Sequence, residues 1–287
     1  MTTTAAERLR ALLDEPGCIQ APGVFDAVSA QLLERAGFRV GHLSGAIASA
    51  VGLGLPDLGY LHGSDVAALA ARITAVTSLP VIADADTGYG NALHARRTVE
   101  QYARVGLAGL HLEDQVSPKR CGHMAGKEVI ETAEAVGKVR AAVEAGTGLV
   151  VIARTDAMSV LGLQAAIDRA GEFARAGADL VFVEGVTDAE RLAEVHAALP
   201  DAKLMVNISE ADPKLDPLQP AELEKYGVKI AIYPVAPLLA AAKAVQGVYA
   251  AIRSEGHAKS TARLEWSELT DLLGQPGLLD LESRYSS

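Results

Sequence analysis

The strongest constraint on this chain is a repeated order of elements: a short apolar run, a polar loop, a helix of three or four turns, then the same again. The strand candidates are Cys18–Ala21, Arg39–Leu43, Val81–Ala83, Gly109–Leu112, Val150–Ala153, Leu180–Val183, Leu204–Val206 and Ile230–Ile232. Helical periodicity falls between them, as in Ser64–Thr77, Ala92–Val105, Thr132–Glu144, Leu163–Ala176 and Ala189–Ala198. Arg35-Ala36-Gly37, Arg104-Val105-Gly106 and Arg175-Ala176-Gly177 read as helix stops, each with a cation near the negative helix end and a glycine just beyond it. Eight strand–helix units in about 250 residues is the arithmetic of a (β/α)8 TIM barrel. A doubly wound open sheet would place a glycine-rich phosphate turn after an early strand. Gly52-Leu53-Gly54 misses that spacing and reads as a flexible loop.

No internal linker interrupts the repeat, so a barrel domain is expected over residues 1–255. Residues 256–287 depart from it and read as a C-terminal helical extension. They carry the only tryptophan, Trp266, in an amphipathic stretch Trp266–Leu273, followed by a Gly-Gln-Pro-Gly break. The apolar face of that stretch must be buried, either on its own barrel wall or on a neighbouring subunit, and both remain open at this level.

Composition narrows the function. Hydrophobic residues make up 49% of the chain and aromatics only 4%, so the core is built from small and branched aliphatics, as suits a parallel α/β protein. A net charge of −10 argues against nucleic acid as a partner, since no basic face can neutralise phosphates. Cys18 and Cys121 are the only cysteines and imply neither a disulfide framework nor a zinc site, so a reducing, cytoplasmic setting is expected. No long uncharged apolar run could span a bilayer, and the N-terminus has no apolar signal core.

In a barrel the chemistry sits at the C-terminal ends of the strands. Polar residues gather at those ends: Ser44-Gly45-Ala46, Asp84-Ala85-Asp86, Glu113-Asp114-Gln115, Arg154-Thr155-Asp156, Glu184-Gly185 and Asn207. A single such residue is usually a cap or turn former, but the whole set is hard to explain that way. Asp84 and Asp86, two apart, share a side if the strand continues through them. With Glu113 and Glu184 nearby they would repel one another unless a hard cation intervenes. All-oxygen donors favour Mg2+ or Mn2+ over zinc, with one or two carboxylates bound directly and the rest holding its waters. A glycosidase-type carboxylate pair is the alternative, disfavoured by the few aromatics available to stack on sugars.

The segment Lys119-Arg120-Cys121-Gly122-His123 sets a thiol among two cations and a histidine, surroundings that stabilise thiolate. Gly122 and Gly126 would let it close over a substrate. His123 could be a general base or a hydrogen-bond donor. Cys18 reads as a small buried hydrophobe. His42 lies close to Ser44 and remains a candidate, His111 reads as a packed core residue, and His94, His196 and His257 read as solvent-facing.

Together these residues resemble the isocitrate lyase/phosphoenolpyruvate mutase superfamily, in its methylisocitrate lyase-like branch. The similarity runs through Pro22–Ala30, Leu43-Ser44-Gly45, Gly54–Gly59, Asp84–Asn91, Leu112–Gln115, the Lys-Arg-Cys-Gly-His segment, Ala153–Ala157 and Tyr233-Pro234. The resemblance implies a barrel whose C-terminal helix is exchanged between subunits, usually in a homotetramer. It implies Mg2+ at Asp84 and Asp86, supported by Asp57 and Glu113. Ser44, Gly45 and the Ala46 amide would hold the carboxylate of a 2-oxo acid, and Arg154, Glu184 and Asn207 would line the same pocket with Lys119, Arg120 and Gly122. The implied reaction cleaves a 2-hydroxy di- or tricarboxylate to pyruvate or glyoxylate, with Cys121 protonating the departing carbanion.

Some positions depart from that pattern. Ile208–Pro217 lacks the Glu-x-Gly-x-Thr-Pro turn, Leu239 stands where an arginine would anchor a distal carboxylate, His42 replaces a frequent tyrosine, and Ala46 a common glycine. These changes imply a substrate with a less polar distal group than methylisocitrate. The alternatives are a phosphonate-forming mutase (the carboxyphosphoenolpyruvate or phosphoenolpyruvate type) or an oxaloacetate decarboxylase of the same superfamily, and, outside it, a non-catalytic barrel scaffold.

Overall fold

The structure is a computed structural model that describes residues 3–122, 124–211 and 215–286. His123, Asp212-Pro213-Lys214 and Ser287 lie outside the described residues, and with them the proposed role of His123 and part of the 208–217 departure. Eight parallel strands form one sheet: β1 (Ile19–Pro22), β2 (Gly41–Leu43), β3 (Val81–Asp84), β4 (Gly109–Glu113), β5 (Val150–Thr155), β6 (Leu180–Val183), β7 (Leu204–Asn207) and β8 (Val228–Tyr233). Each pairs with its sequence neighbour from β2 round to β8, and β8 pairs with β1. A parallel bridge between Gly23 and His42 joins β1 to β2, so the sheet closes as the (β/α)8 barrel expected from the repeat.

The expected strands all form, most one or two residues longer at an end than apolar character alone suggested. The glycine stops also behave as expected: Gly37, Gly106 and Gly177 have φ of 85°, 79° and 98°, the left-handed region open to a residue without Cβ. Gly52-Leu53-Gly54 is not a flexible loop. Helix Gly45–Leu53 runs through it and stops at Gly54 in the left-handed conformation, where the Gly54 N–H closes onto the carbonyl of Ala50.

Two apolar layers hold the barrel. Val40, Ile82, Val150, Ile152, Leu180, Phe182, Met205 and Ile230 fill its interior. Helices pack outside through residues such as Val66, Ala70, Ala166, Ala170 and Leu192. Helix Ala5–Asp14 closes the mouth at the N-terminal ends of the strands by placing Leu9 and Leu13 in the interior layer. It begins with a capping box in which Thr4 and Glu7 satisfy each other's backbone amides. The opposite mouth stays polar.

Helix Ala236–Glu255 leaves the barrel wall. Only Ala251 of its twenty residues is buried, while Leu239, Val245, Tyr249 and Ile252 are exposed. Helices Trp266–Leu272 and Gln275–Tyr285 bury no residue, and Trp266 is 77% exposed. Among the described residues no helix is long and apolar enough to cross a membrane.

Candidate active site

A cavity of about 560 Å3 opens at the N-terminal mouth among Arg10, Asp14, Asp179 and Lys203. Its charges already pair with one another, Arg10 with Asp179 and Lys203 with Asp14, which is how a stabilising face looks. At the other mouth a smaller cavity, about 50 Å3, is lined by His42, Ser44, Ala46, Asp57, Asp84, His111, Lys119, Cys121, Gly122, Arg154, Asn207 and Ser209. The polar groups converge here, so the site is the small cavity and not the large one.

Asp84 ends β3, and the chain turns at once: Asp86 has φ of 43° and Tyr89 of 59°, both in the left-handed region that non-glycine residues rarely enter. The turn directs the Asp86 N–H onto Asp84 Oδ1 at 2.9 Å. Strand alternation therefore does not bring the two carboxylates together; the turn does. Gly45 lies against both. A Cβ there would sit 2.8 Å from Asp84 Oδ2 and 3.1 Å from Asp86 Oδ1, and the Gly45 N–H donates to Asp84 Oδ2 at 3.1 Å. Ser44 is the N-cap of the helix that begins at Gly45, so that helix points its positive end at the carboxylates.

The charges compensate one another in part. Lys119 is buried, its ammonium paired with Asp57 and lying 3.0 Å from Asp86 Oδ1. Burial opposes its charge, but Asp86, Asp84, Glu113 and Asp57 outweigh burial and raise its pKa above the ordinary lysine value. Burial also opposes the charge on Asp84; His111, Lys119 and Arg154 overcome it and hold that carboxyl below its ordinary value. Asp86 goes the other way, pushed up to about 7 by burial and then by the neighbouring Asp84. Burial raises Glu113 well above the carboxylate range despite Arg154. Arg154 donates through Nε and Nη2 to Asp156 at 2.9 and 3.1 Å, lies 3.3 Å from Glu113 and 3.4 Å from Glu184, and covers the ring of Phe182. Asn207 reaches Glu184 at 3.4 Å.

Glu113 Oε1 is buried and accepts no hydrogen bond from any described residue, and Asp86 Oδ1 has only the Lys119 ammonium, which it shares with Asp57. Unsatisfied carboxylate oxygens at such depth are costly without a cation or its waters. Among the described residues no three His, Cys, Asp or Glu side chains form a complete metal cage. That donor set fits a hard ion that keeps its water shell and takes one or two carboxylates, and it does not suit zinc.

The structure brings Ser44, Gly45, Ala46, Asp57, Asp84, Asp86, Glu113, Lys119, Cys121, Gly122, Arg154, Glu184 and Asn207 to this mouth. It does not bring Arg120, whose side chain is exposed and donates to the Ala125 carbonyl at 3.4 Å. Successive side chains in this loop point opposite ways, so Lys119 enters the site and Arg120 leaves it. Sequence reading missed His111 as a site residue. It is buried, its Nδ1 lies 3.4 Å from Asp84 Oδ1, and its Nε2 meets His42 Nε2 at 3.0 Å. Burial lowers both imidazoles, His42 to about 3 and His111 to about 4, so both are neutral near pH 7. The signal was available: His111 stands two residues before Glu113 on one strand and so shares its face. Ser209 also lines the cavity, and no pattern in the sequence marked it.

Residues 9–253 match the phosphoenolpyruvate phosphomutase family. The chain is 36% identical to the 2,3-dimethylmalate lyase of Eubacterium barkeri, with 98% of each chain covered. It is 41% identical to the 2-methylisocitrate lyase of Escherichia coli over 88% of this chain and 85% of that one. Among solved structures it resembles oxaloacetate acetylhydrolase in complex with 3,3-difluorooxalacetate (TM-score 0.92, 33% identity, 99% and 98% covered). It also resembles a phosphonopyruvate hydrolase complex with oxalate and Mg2+ (TM-score 0.87, 30% identity, 99% and 100% covered). The lyase relatives agree with the carbon–carbon lyase expected from the sequence.

Proposed function

The chain belongs to the phosphoenolpyruvate mutase/isocitrate lyase superfamily, and on that premise we propose that it is a Mg2+-dependent lyase in the cytoplasm that splits a 2-hydroxy di- or tricarboxylate into a 2-oxo acid and a second carboxylate. The observation that carries this reading is the cavity in which Asp84 and the Ser44–Ala46 helix start lie on one side and Cys121 on the facing loop.

Asp84 and Asp86 would hold Mg2+ (Mn2+ being the substitute), with Asp57 and Glu113 on its waters; when bound, the ion supplies Lewis acidity toward an oxygen that gains negative charge. Ser44 Oγ and the amides at the helix start bind the carboxylate next to that oxygen. Arg154, braced by Asp156, faces the remaining negative charge together with Glu184 and Asn207. The substrate 2-hydroxyl would give its proton to water held by Asp57 and Glu113, and its oxygen becomes the carbonyl of the 2-oxo acid. As the carbon–carbon bond breaks, its electron pair stays on the carbon beside the second carboxylate. Cys121 gives its proton to that carbon, and His123, two residues further along the sequence, is assigned as a general base or a hydrogen-bond donor to substrate. Lys119 leaves a cation near the resulting thiolate. A positioned acid of this kind is worth about 10²–10⁴ in rate.

The long helix and the two that follow carry exposed Leu239, Val245, Tyr249, Trp266, Leu278 and Leu279, apolar side chains that a neighbouring subunit could cover. Residues 256–287 are therefore proposed as an extension that packs on a neighbouring subunit, in a homotetramer of two helix-exchanged dimers. Light scattering on the full chain would exclude this by returning a monomer.

The test is a panel of 2-hydroxy di- and tricarboxylates assayed with Mg2+ for released 2-oxo acid. Cys121→Ser should keep the fold and metal binding but lose turnover. Phosphorus NMR showing a new carbon–phosphorus bond from phosphoenolpyruvate would instead establish a mutase. Methylisocitrate as best substrate by a wide margin would overturn the less polar distal group.

A further inference from the structure

One buried cation beside the cavity has no part in the reaction just described. Lys127 lies past the Cys121 segment, and its side chain is 4% exposed. Its ammonium donates to the Gly122 carbonyl at 2.5 Å and to Asp156 Oδ1 at 2.8 Å. The first acceptor is loop backbone next to Cys121; the second belongs to the rigid barrel. The Asp156 N–H donates to Asp114 Oδ1 at 2.9 Å, and Asp114 is fixed in turn by Thr155 Oγ1 at 2.7 Å and Arg169 Nη1 at 3.1 Å.

The other side of the loop has its own fastening. Gln115, buried at the end of β4, accepts from the Arg120 N–H and donates to the Arg120 carbonyl, both at 2.9 Å. Cys121 and Gly122 are thus bracketed by two polar clamps, one on Arg120 and one on Gly122. The Lys127 clamp differs because Asp156 is also the carboxylate that receives the fork of Arg154. Swinging the loop out would remove Lys127 from Asp156 and leave that carboxylate to Arg154 alone. Docking it divides the carboxylate between two cations and leaves more of the Arg154 charge facing the cavity. A hydrogen bond from a charged donor in a dry site is among the stronger ones.

We propose that Lys127 is a positioning residue that holds the Cys121 segment docked and couples that docking to the charge Arg154 presents to substrate. The inference rests on the reading of Cys121 as proton donor only for its effect on turnover, so the decisive measurement does not involve turnover. In the full chain with Mg2+, the rate at which iodoacetamide labels Cys121 is followed by peptide mass, with Cys18 as internal reference. Lys127→Met is expected to raise Cys121 labelling at least tenfold, leave Cys18 labelling and Tm unchanged, and lower kcat at least tenfold with a smaller change in KM. Lys127→Gln keeps a donor for the Gly122 carbonyl but removes the charge from Asp156; it should fall between, and it serves if the methionine variant does not fold. Labelling of Cys121 at the wild-type rate in both variants overturns the inference. Faster labelling with unchanged kcat would uphold the clamp and overturn the role of Cys121 as proton donor.

Discussion

Gly122→Ala tests whether the loop must dock on the Arg154–Glu184 pair for turnover. A Cβ at Gly122 would lie 2.6 Å from Arg154 Nη2 and 3.0 Å from the Glu184 carboxyl carbon. Ordinary contact is about 3.5–4.0 Å, so something must yield by roughly 1 Å. An arginine tip usually gives way at little cost, but this one is forked onto Asp156, lies over the Phe182 ring and is buried. Overpacking of this kind costs about 1–3 kcal/mol. The loop can relieve it by moving outward, so the cost falls on docking and not on global unfolding. At about 1.4 kcal/mol per decade, the docked population drops by roughly 5- to 150-fold. A 1 Å misplacement of a reacting group carries a penalty of about 10²-fold. The expected result is kcat/KM reduced by about one to two decades with Tm within about 1 °C, measured on the best substrate of the panel and by thermal unfolding. Activity within twofold of wild type would show that Gly122 does not meet Arg154 during turnover.

Two further outcomes follow from the charges. Mg2+ at about a hundred times its Kd should stabilise the protein by about 2.7 kcal/mol, and Asp84→Asn should abolish that gain in a thermal-shift titration; an unchanged gain would remove Asp84 from the metal site. Burial, with the charge of Glu224 second, raises the Cys18 thiol from 9.0 to about 11. Because its folded pKa is raised, the stability from burying that thiol is complete below about pH 9 and is lost as pH rises through about 11. At pH 8 a thiol raised that far carries about a hundredfold less thiolate than an unperturbed one. Iodoacetamide should therefore label Cys18 about a hundredfold more slowly in the folded protein than in urea; equal rates would refute the burial.

The barrel was legible because two periodicities alternate along the chain and because carboxylates, an arginine and an amide recur at strand ends. What escaped was direction inside turns and loops, which have no period. Asp84 and Asp86 are two apart, as an alternating strand requires, yet the chain leaves the strand between them and a left-handed turn restores the pairing. Lys119 and Arg120 look interchangeable in sequence, but only the first is buried among carboxylates. The helix at residues 5–14 went unread, although a Thr4-x-x-Glu7 capping box marks its start. Nothing local says that Leu9 and Leu13 plug a barrel mouth, because that destination exists only once the strands have closed.

The departures from the methylisocitrate lyase pattern acquire a location in the fold. Leu239, where an anchoring arginine was expected, is 55% exposed and does not line the cavity, so its apolar character alone cannot shape the pocket of a single chain. The apolar lining comes instead from Ala46, Ile232, Pro234 and Val235. A substrate carboxylate pressed against that lining would lose its water without gaining a donor, at a cost of several kcal/mol for a charged group. A methyl or similar group there would lose nothing and gain about 0.8 kcal/mol per buried carbon. On the proposed function, discrimination at the distal end would follow from this apolar lining, with Asp84, Arg154 and Cys121 acting on the half of the molecule that every substrate of such a site would share.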